Sequence, residues 1–368
     1  MTRINRRRLL WGAGAGAVLA SVGAVRFTGS STRFLSAADD ADGGHCLLGL
    51  DAAGEPTYCL PVPYRAHEAR ALDDRLAIYF ARRPGRQCYV VEMRAGALLA
   101  TLEAQPGEHF CGHGVVSADG RHLFLTTYAF ERQMGVVAIH ETAPPFARVG
   151  QIDTHGLDPH QLALLPDGAT LVVANGGILT HPDSEREMLN LDSMDPSLVY
   201  LQLDSGELLE QLRPPHHQIS LRHLTVGANG TVVIGAQDHA SGIEANPHPL
   251  VFQHSRGGEL RPFDATASEW RQMNQYIASM ALSADGQVAL STTPRGNCIS
   301  LWDMAGNRHI RSFPVRDVAG ASWVPKQDSF LVSNGLGQMV YLRLQPEPRL
   351  ELVSRSASLR WDNHLILV

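Results

Sequence analysis

Apolar positions in this chain fall in short runs of β-branched and aromatic residues, each set off by a turn signal. Leu123-Phe-Leu-Thr-Thr127, Leu171-Val-Val-Ala174, Thr231-Val-Val-Ile234 and Phe330-Leu-Val-Ser333 follow Asp119-Gly120, Asp167-Gly168, Asn229-Gly230 and Lys326-Gln-Asp328. Runs this short, bounded this way, predict strands rather than amphipathic helices. The same unit recurs from Met280 to Ser291 around Asp285-Gly286. In each unit an apolar run precedes the turn, a second follows it, and a third reads like Val136-Val-Ala-Ile139 or Ile299-Ser-Leu-Trp302. A glycine turn such as Asp204-Ser-Gly206 then leads to a fourth, outer strand.

The turns at 73, 119, 167, 229, 285 and 327 are 46, 48, 62, 56 and about 42 residues apart. Four strands repeated at that period predict the blades of a β-propeller. Six blades fill roughly residues 64–355. The segment 44–63 reads as three strands lacking an innermost one, and Leu359 to Val368 reads as a lone innermost strand. Pairing these ends closes the ring and removes open sheet edges. The expected fold is all-β: a single seven-bladed propeller over residues 39–368, closed by the C-terminal strand against the N-terminal ones. Six or eight blades are the alternatives, because the early copies are degenerate.

One polar residue keeps step with this repeat. His67, His113, His160 and His223 each open the first apolar run of a copy, six or seven residues before its Asp or Asn turn, and His364 opens the truncated last copy. The two remaining copies carry Ser279-Met280 and Gly320-Ala321 instead. The first strand of a blade lines the central channel, so these five imidazoles are expected to converge at one mouth. Converging imidazoles suit a transition metal: iron or copper, zinc as a further candidate, or a haem. The bland alternative is that each histidine merely hydrogen-bonds to the neighbouring blade.

Residues beside the register are candidate accessories. Glu68, Asp158 and Asp362 are acidic neighbours, the last two placed to accept from imidazole N–H groups. Arg222 adds positive charge, which makes an anion site the competing chemistry, and Cys111 is either a soft ligand or a small buried hydrophobe. Met273 and Met280 read more naturally as core than as copper ligands. The acidic insertion 181–196 reads as lying between blades and is expected to cover one mouth or engage a partner. His216-His217 are expected in a solvated loop, with extra ligands from above the channel as the sharper reading.

Charge and the ends of the chain bound the setting. Arg6-Arg7-Arg8-Leu9-Leu10, followed by an Ala/Gly-rich apolar stretch to Val25, predicts a twin-arginine signal peptide over residues 1–38, with cleavage after Ala38. The expected location is therefore the periplasm, with no stable membrane span after processing. Those 38 residues hold six arginines and no acid, leaving 25 basic against 37 acidic residues, a formal charge of −12. Such a surface argues against nucleic acid. Of the five cysteines, Cys46 and Cys59 flank the predicted turn Asp51-Ala-Ala-Gly54 and are candidates for a disulfide. No nucleophile elbow, phosphate loop or zincin helix is present, so no reaction is legible.

The twin-arginine leader, Cys-Gly-His113-Gly, Asp158-Pro-His160, Leu-Arg-His223-Leu and terminal Trp361-Asp-Asn-His364 together resemble a family of exported bacterial proteins of unknown function. Members are commonly encoded beside imelysin-like, iron-regulated periplasmic proteins and a dihaem thiol-oxidoreductase-like protein. The resemblance implies a seven-bladed propeller, a link to iron or other metal uptake, and imelysin-like partners. It carries over His113, His160, His223 and His364, whereas His67 rests on the internal repeat. A non-catalytic interaction scaffold in the same system is the alternative. A metal-dependent lactonase or oxidoreductase is a weaker one, with Asp158 and Glu68 as its acid–base candidates.

Overall fold

Each repeat of the sequence becomes one four-stranded antiparallel meander, and seven such sheets stand around a common axis in the computed structural model, which describes residues 25–26, 31–184 and 187–368. Numbered around the ring, the second blade is Ala66–Ala71, Leu76–Ala81, Gln87–Glu92 and Ala97–Glu103. The third runs from Glu108–Val116 to Arg148–Asp153, the fourth from Pro159–Leu164 to Leu208–Leu212 and the fifth from Ile219–Val226 to Arg261–Pro262. The sixth spans Ser279–Leu282 to Arg308–Pro314 and the seventh Val318–Val324 to Arg349–Arg355.

The first blade closes the ring. The C-terminal strand Leu359–Leu367 is its innermost strand and pairs antiparallel with Phe34–Asp40, which continues to His45–Leu50 and Pro56–Val62. The three N-terminal strands were expected at 44–63 and in fact begin at Phe34. The propeller therefore starts ahead of the expected boundary at residue 39, and Val25–Arg26 adds a fifth strand against Cys59 and Tyr58. Cleavage after Ala38 would cut a strand whose Phe34, Leu35, Ala37 and Ala38 are buried. The rest of the expected leader, 1–24 and 27–30, lies outside the described residues.

The core lies between blades rather than inside one sheet. Val172 and Tyr200 of the fourth blade pack on Leu221, Ile234 and Phe252 of the fifth. Phe34, Leu48 and Trp361 of the first pack on Leu331 and Met339 of the seventh. Both faces of the inner strands are thus covered, which is why their apolar runs are continuous rather than alternating. Each fully buried large side chain contributes roughly 1.5–3 kcal/mol. Outermost strands such as Arg349–Arg355 are charged and largely exposed, which blunts their free edges.

Two further expectations meet the structure here. The 181–196 insertion does not separate blades: it joins the second and third strands of the fourth blade, Thr170–Asn175 and Ser197–Gln202. Cys46 stands opposite Pro61 and Cys59 opposite Leu48, so the two thiols lie diagonal to each other across the pair and both are free. Among the described residues no helix is long and apolar enough to cross a membrane.

Candidate metal centre

All five histidine-bearing inner strands break their ladder at the same height. In the second blade Ala66 and Ala69 pair with Ala81 and Tyr79, so His67 and Glu68 bulge over a single partner residue. In the third, Cys111 to His113 bulge opposite Thr126; in the first, Asp362 to His364 do so opposite Ala37. His160 is the extra residue in the fourth blade, and Arg222, next to His223, in the fifth. A bulge kinks the strand and re-aims its side chains, here into the axis. Gly112 completes the arrangement at φ +104°, where an added Cβ would stand 2.6 Å from His67 Cδ2. No β-carbon fits between that ring and the next strand.

The rings meet. The centroids of His67, His113 and His364 form a triangle with sides of 5.0, 4.6 and 4.8 Å. A second triangle, His113, His160 and His223, has sides of 5.1, 5.5 and 4.7 Å. In each group the ligating nitrogens lie within 4.8 Å of one another. Three imidazoles bound at about 2.0–2.1 Å in tetrahedral directions set their centroids roughly 5 Å apart, so either triangle has the right size for one ion. His67, His113, His223 and His364 are buried, and His160 is partly so.

Hydrogen bonds on the far side of the rings divide the five. His67 Nδ1 lies 3.0 Å from Asp362 Oδ1, and His113 Nδ1 bonds Glu68 Oε2. Both carboxylates come from the preceding blade. Glu68 is held in turn by Arg70 at 2.9 Å, and Asp362 by Arg65 at 2.5 Å and Arg82 at 3.4 Å. Burial opposes ionisation of both acids, yet Arg70 with His113 at Glu68, and His67 with Arg82 and Arg65 at Asp362, outweigh it and hold both below the usual carboxylate range. An ionised carboxylate accepts a hydrogen bond from Nδ1–H, which keeps the ring proton on Nδ1 and leaves Nε2 with its lone pair facing the axis.

The remaining rings are wired differently. Arg222 Nη1 approaches His160 Nδ1 at 3.4 Å, and a guanidinium only donates, so the proton of a neutral His160 sits on Nε2. His223 has no hydrogen-bond partner on either nitrogen among the described residues, and Nε2 of His113, His160 and His364 has none either. A buried polar atom without a partner costs about 1–3 kcal/mol. Burial pushes His67 down to about 4 despite Asp362. Burial likewise lowers His160, His223 and His364 well below the usual value, reinforced by Arg222 at His160, His113 at His223 and His67 at His364. These four rings are therefore neutral at pH 7, the form a metal requires.

Above the rings lies a basin of about 480 Å³ lined by His67, His160, Arg82, Arg83, Arg222 and Arg295, among others. Ile178 and Met188 of the long loop also line it, which places part of that loop at the mouth. Cys111 reaches the basin, but burial drives its thiol well above the usual range, and it stays outside both histidine groups. Asp158 pairs with Arg83 and does not back His160, contrary to the expected role. Asp362 backs His67, not the His364 two residues beyond it. His216 packs between His217 and His248, and none of the three lines the basin over the channel. Met273 and Met280 are core residues.

Sequence reasoning overlooked Arg82, Arg83, Arg295 and Tyr276, and it read His239, with His248, as lying in an inter-blade loop, whereas both join the second and third strands of the fifth blade. All but Tyr276 sit in connections between second and third strands, where the repeat leaves no mark, and Tyr276 lies in the link between the fifth and sixth blades. No functionally curated protein matches this chain. Residues 60–368 match the family described as "Protein of unknown function (DUF1513)", and the chain belongs to that family.

Proposed function

We propose that this propeller holds a transition-metal ion on His67, His113 and His364, with His223 available as a fourth ligand. The observation that carries the reading is the set of buried imidazole nitrogens that converge on the axis without hydrogen-bond partners, backed in two cases by carboxylates on Nδ1. An all-imidazole set suits iron, copper, zinc or nickel and disfavours magnesium or calcium, which want oxygen. A bound ion would there act as a Lewis acid or be stored and passed on. An ion fits better than a haem, because the space above the rings is walled by arginines and amides, not by the apolar faces a porphyrin needs. Export by the twin-arginine route to the periplasm, and a place in iron or metal uptake beside imelysin-like proteins, belong to the same reading. They are supported by Arg6-Arg7-Arg8-Leu9-Leu10 and by the family resemblance.

Metal analysis of the full chain purified from its native host tests the proposal. The expected result is one ion per chain, lost in the double variant His67→Ala, His113→Ala with the fold intact by circular dichroism. A wild-type protein that takes up no added iron, copper or zinc at micromolar concentration would overturn it.

A further inference from the structure

The walls of the basin carry positive charge that the fold neutralises only in part. Arg82, Arg83, Arg222 and Arg295 all line it, and no carboxylate does, in a chain whose formal charge is −6. Arg82 and Arg83 lean back on Asp362 and Asp158. Arg222 and Arg295 have no carboxylate partner among the described residues. Arg222 is only 7% exposed, its Nε has no hydrogen-bond partner, and its one polar contact is the imidazole of His160. Arg295 has the Tyr276 ring, 5.0 Å from its guanidinium carbon. A guanidinium buried without a direct ion-pair partner marks a place where a ligand can supply one.

The positions of the arginines narrow the ligand. Arg82 and Arg83 belong to the second blade, Arg222 to the fifth and Arg295 to the sixth, so the charges face each other across the mouth. A molecule with several carboxylates can engage guanidinia from more than one blade, each in the planar two-point geometry a guanidinium offers, where a single compact anion such as phosphate engages fewer. Asn363 Nδ2 donates to the Tyr276 hydroxyl at 3.2 Å, which leaves that hydroxyl's own proton to donate to a ligand oxygen. The volume, about 480 Å³, is that of a small-molecule site.

We infer that the basin is a second binding site, for a small polycarboxylate, formed by the protein whether or not the histidines below it hold a metal. The test is calorimetric titration of the full chain, stripped of metal with phenanthroline, against citrate, inorganic phosphate and trimethyl citrate. Citrate is expected to bind, with phosphate at least about tenfold weaker and the ester undetectable. Arg222→Gln and Arg295→Gln are each expected to weaken citrate by about tenfold or more, the scale of a lost charge-assisted hydrogen bond. Arg295 is exposed, so its variant keeps the fold if the Arg222 variant does not. His113→Ala is expected to keep citrate binding while losing metal, which separates this inference from the preceding proposal. Binding of the ester equal to citrate, or unchanged affinity in both arginine variants, would overturn the site. Phosphate as tight as citrate would overturn the polycarboxylate assignment, and loss of citrate with the histidine would overturn its independence from the metal.

Discussion

His113 and His160 stand 5.1 Å apart on neighbouring blades, yet they are prepared for opposite tasks. Behind His113 is an anion, Glu68; behind His160 is a cation, Arg222. The first ring is made electron-rich with its lone pair inward. The second presents an N–H and is better fitted to donate to something bound at the axis than to ligate it. The five-fold register of histidines is thus a repeat in position only. What each imidazole can do is decided by the residue that reaches its outer nitrogen, and the carboxylates come from a different blade.

Removing both carboxylate-backed rings should have the largest effect. His67→Ala with His113→Ala is expected to abolish metal retention after gel filtration, whereas His160→Ala alone should lower affinity only modestly; equal losses would erase the asymmetry. Next in size, Glu68→Gln should weaken metal binding by roughly 10–100-fold in a competition titration, because it leaves every ligand in place and alters only what holds His113.

The contrast also has a pH signature. Unfolded, these histidines titrate near 6.5. Folded, burial holds His67 down to about 4, with His160, His223 and His364 also lowered. Between those values the unfolded chain binds more protons, so stability rises with pH. The metal-free protein is expected to keep its full melting temperature above pH 6.5 and to lose stability as pH falls toward 4, by ~3 kcal/mol from His67 alone. Glu68 and Asp362, lowered in the fold, add a further loss at more acid pH. A melting temperature flat from pH 7 to 4.5 would contradict neutral buried rings.

Smaller still, Gly112→Ala should cost about 1–3 kcal/mol in urea titration, through its positive φ and the displaced His67 ring. At the bottom of the scale, His216→Ala should leave metal binding unchanged, since its ring packs on His217 and His248 away from the axis.

Blade number, ring closure and the histidine register were legible in the sequence because a propeller is periodic and its turns carry their own chemistry. The start of the first blade was not. Ser36-Ala37-Ala38 reads as a cleavage site because its residues are small, yet Ala37 and Ala38 are small residues buried in the strand that pairs with the C-terminal one. The carboxylate partners were misassigned by nearness in sequence: Asp362 was expected to serve His364 but serves His67, and Glu68, left without a partner in that reading, serves His113, 45 residues on. Bulges hide for a related reason, since an extra residue in a strand leaves the apolar run unchanged to the eye. The basic basin escaped notice because its arginines come from irregular connections that only the closed ring brings together.

His364 and Asp362 ride on the strand that shuts the ring, while His67 and His113 belong to blades built from the early part of the chain. An ion shared among these rings would act as a clasp across the wheel's seam, its binding energy resisting the peeling of that last strand. Loaded protein should then withstand proteolysis and force at a junction where the empty wheel yields first. Release of the ion would be felt as loosening of the whole rim.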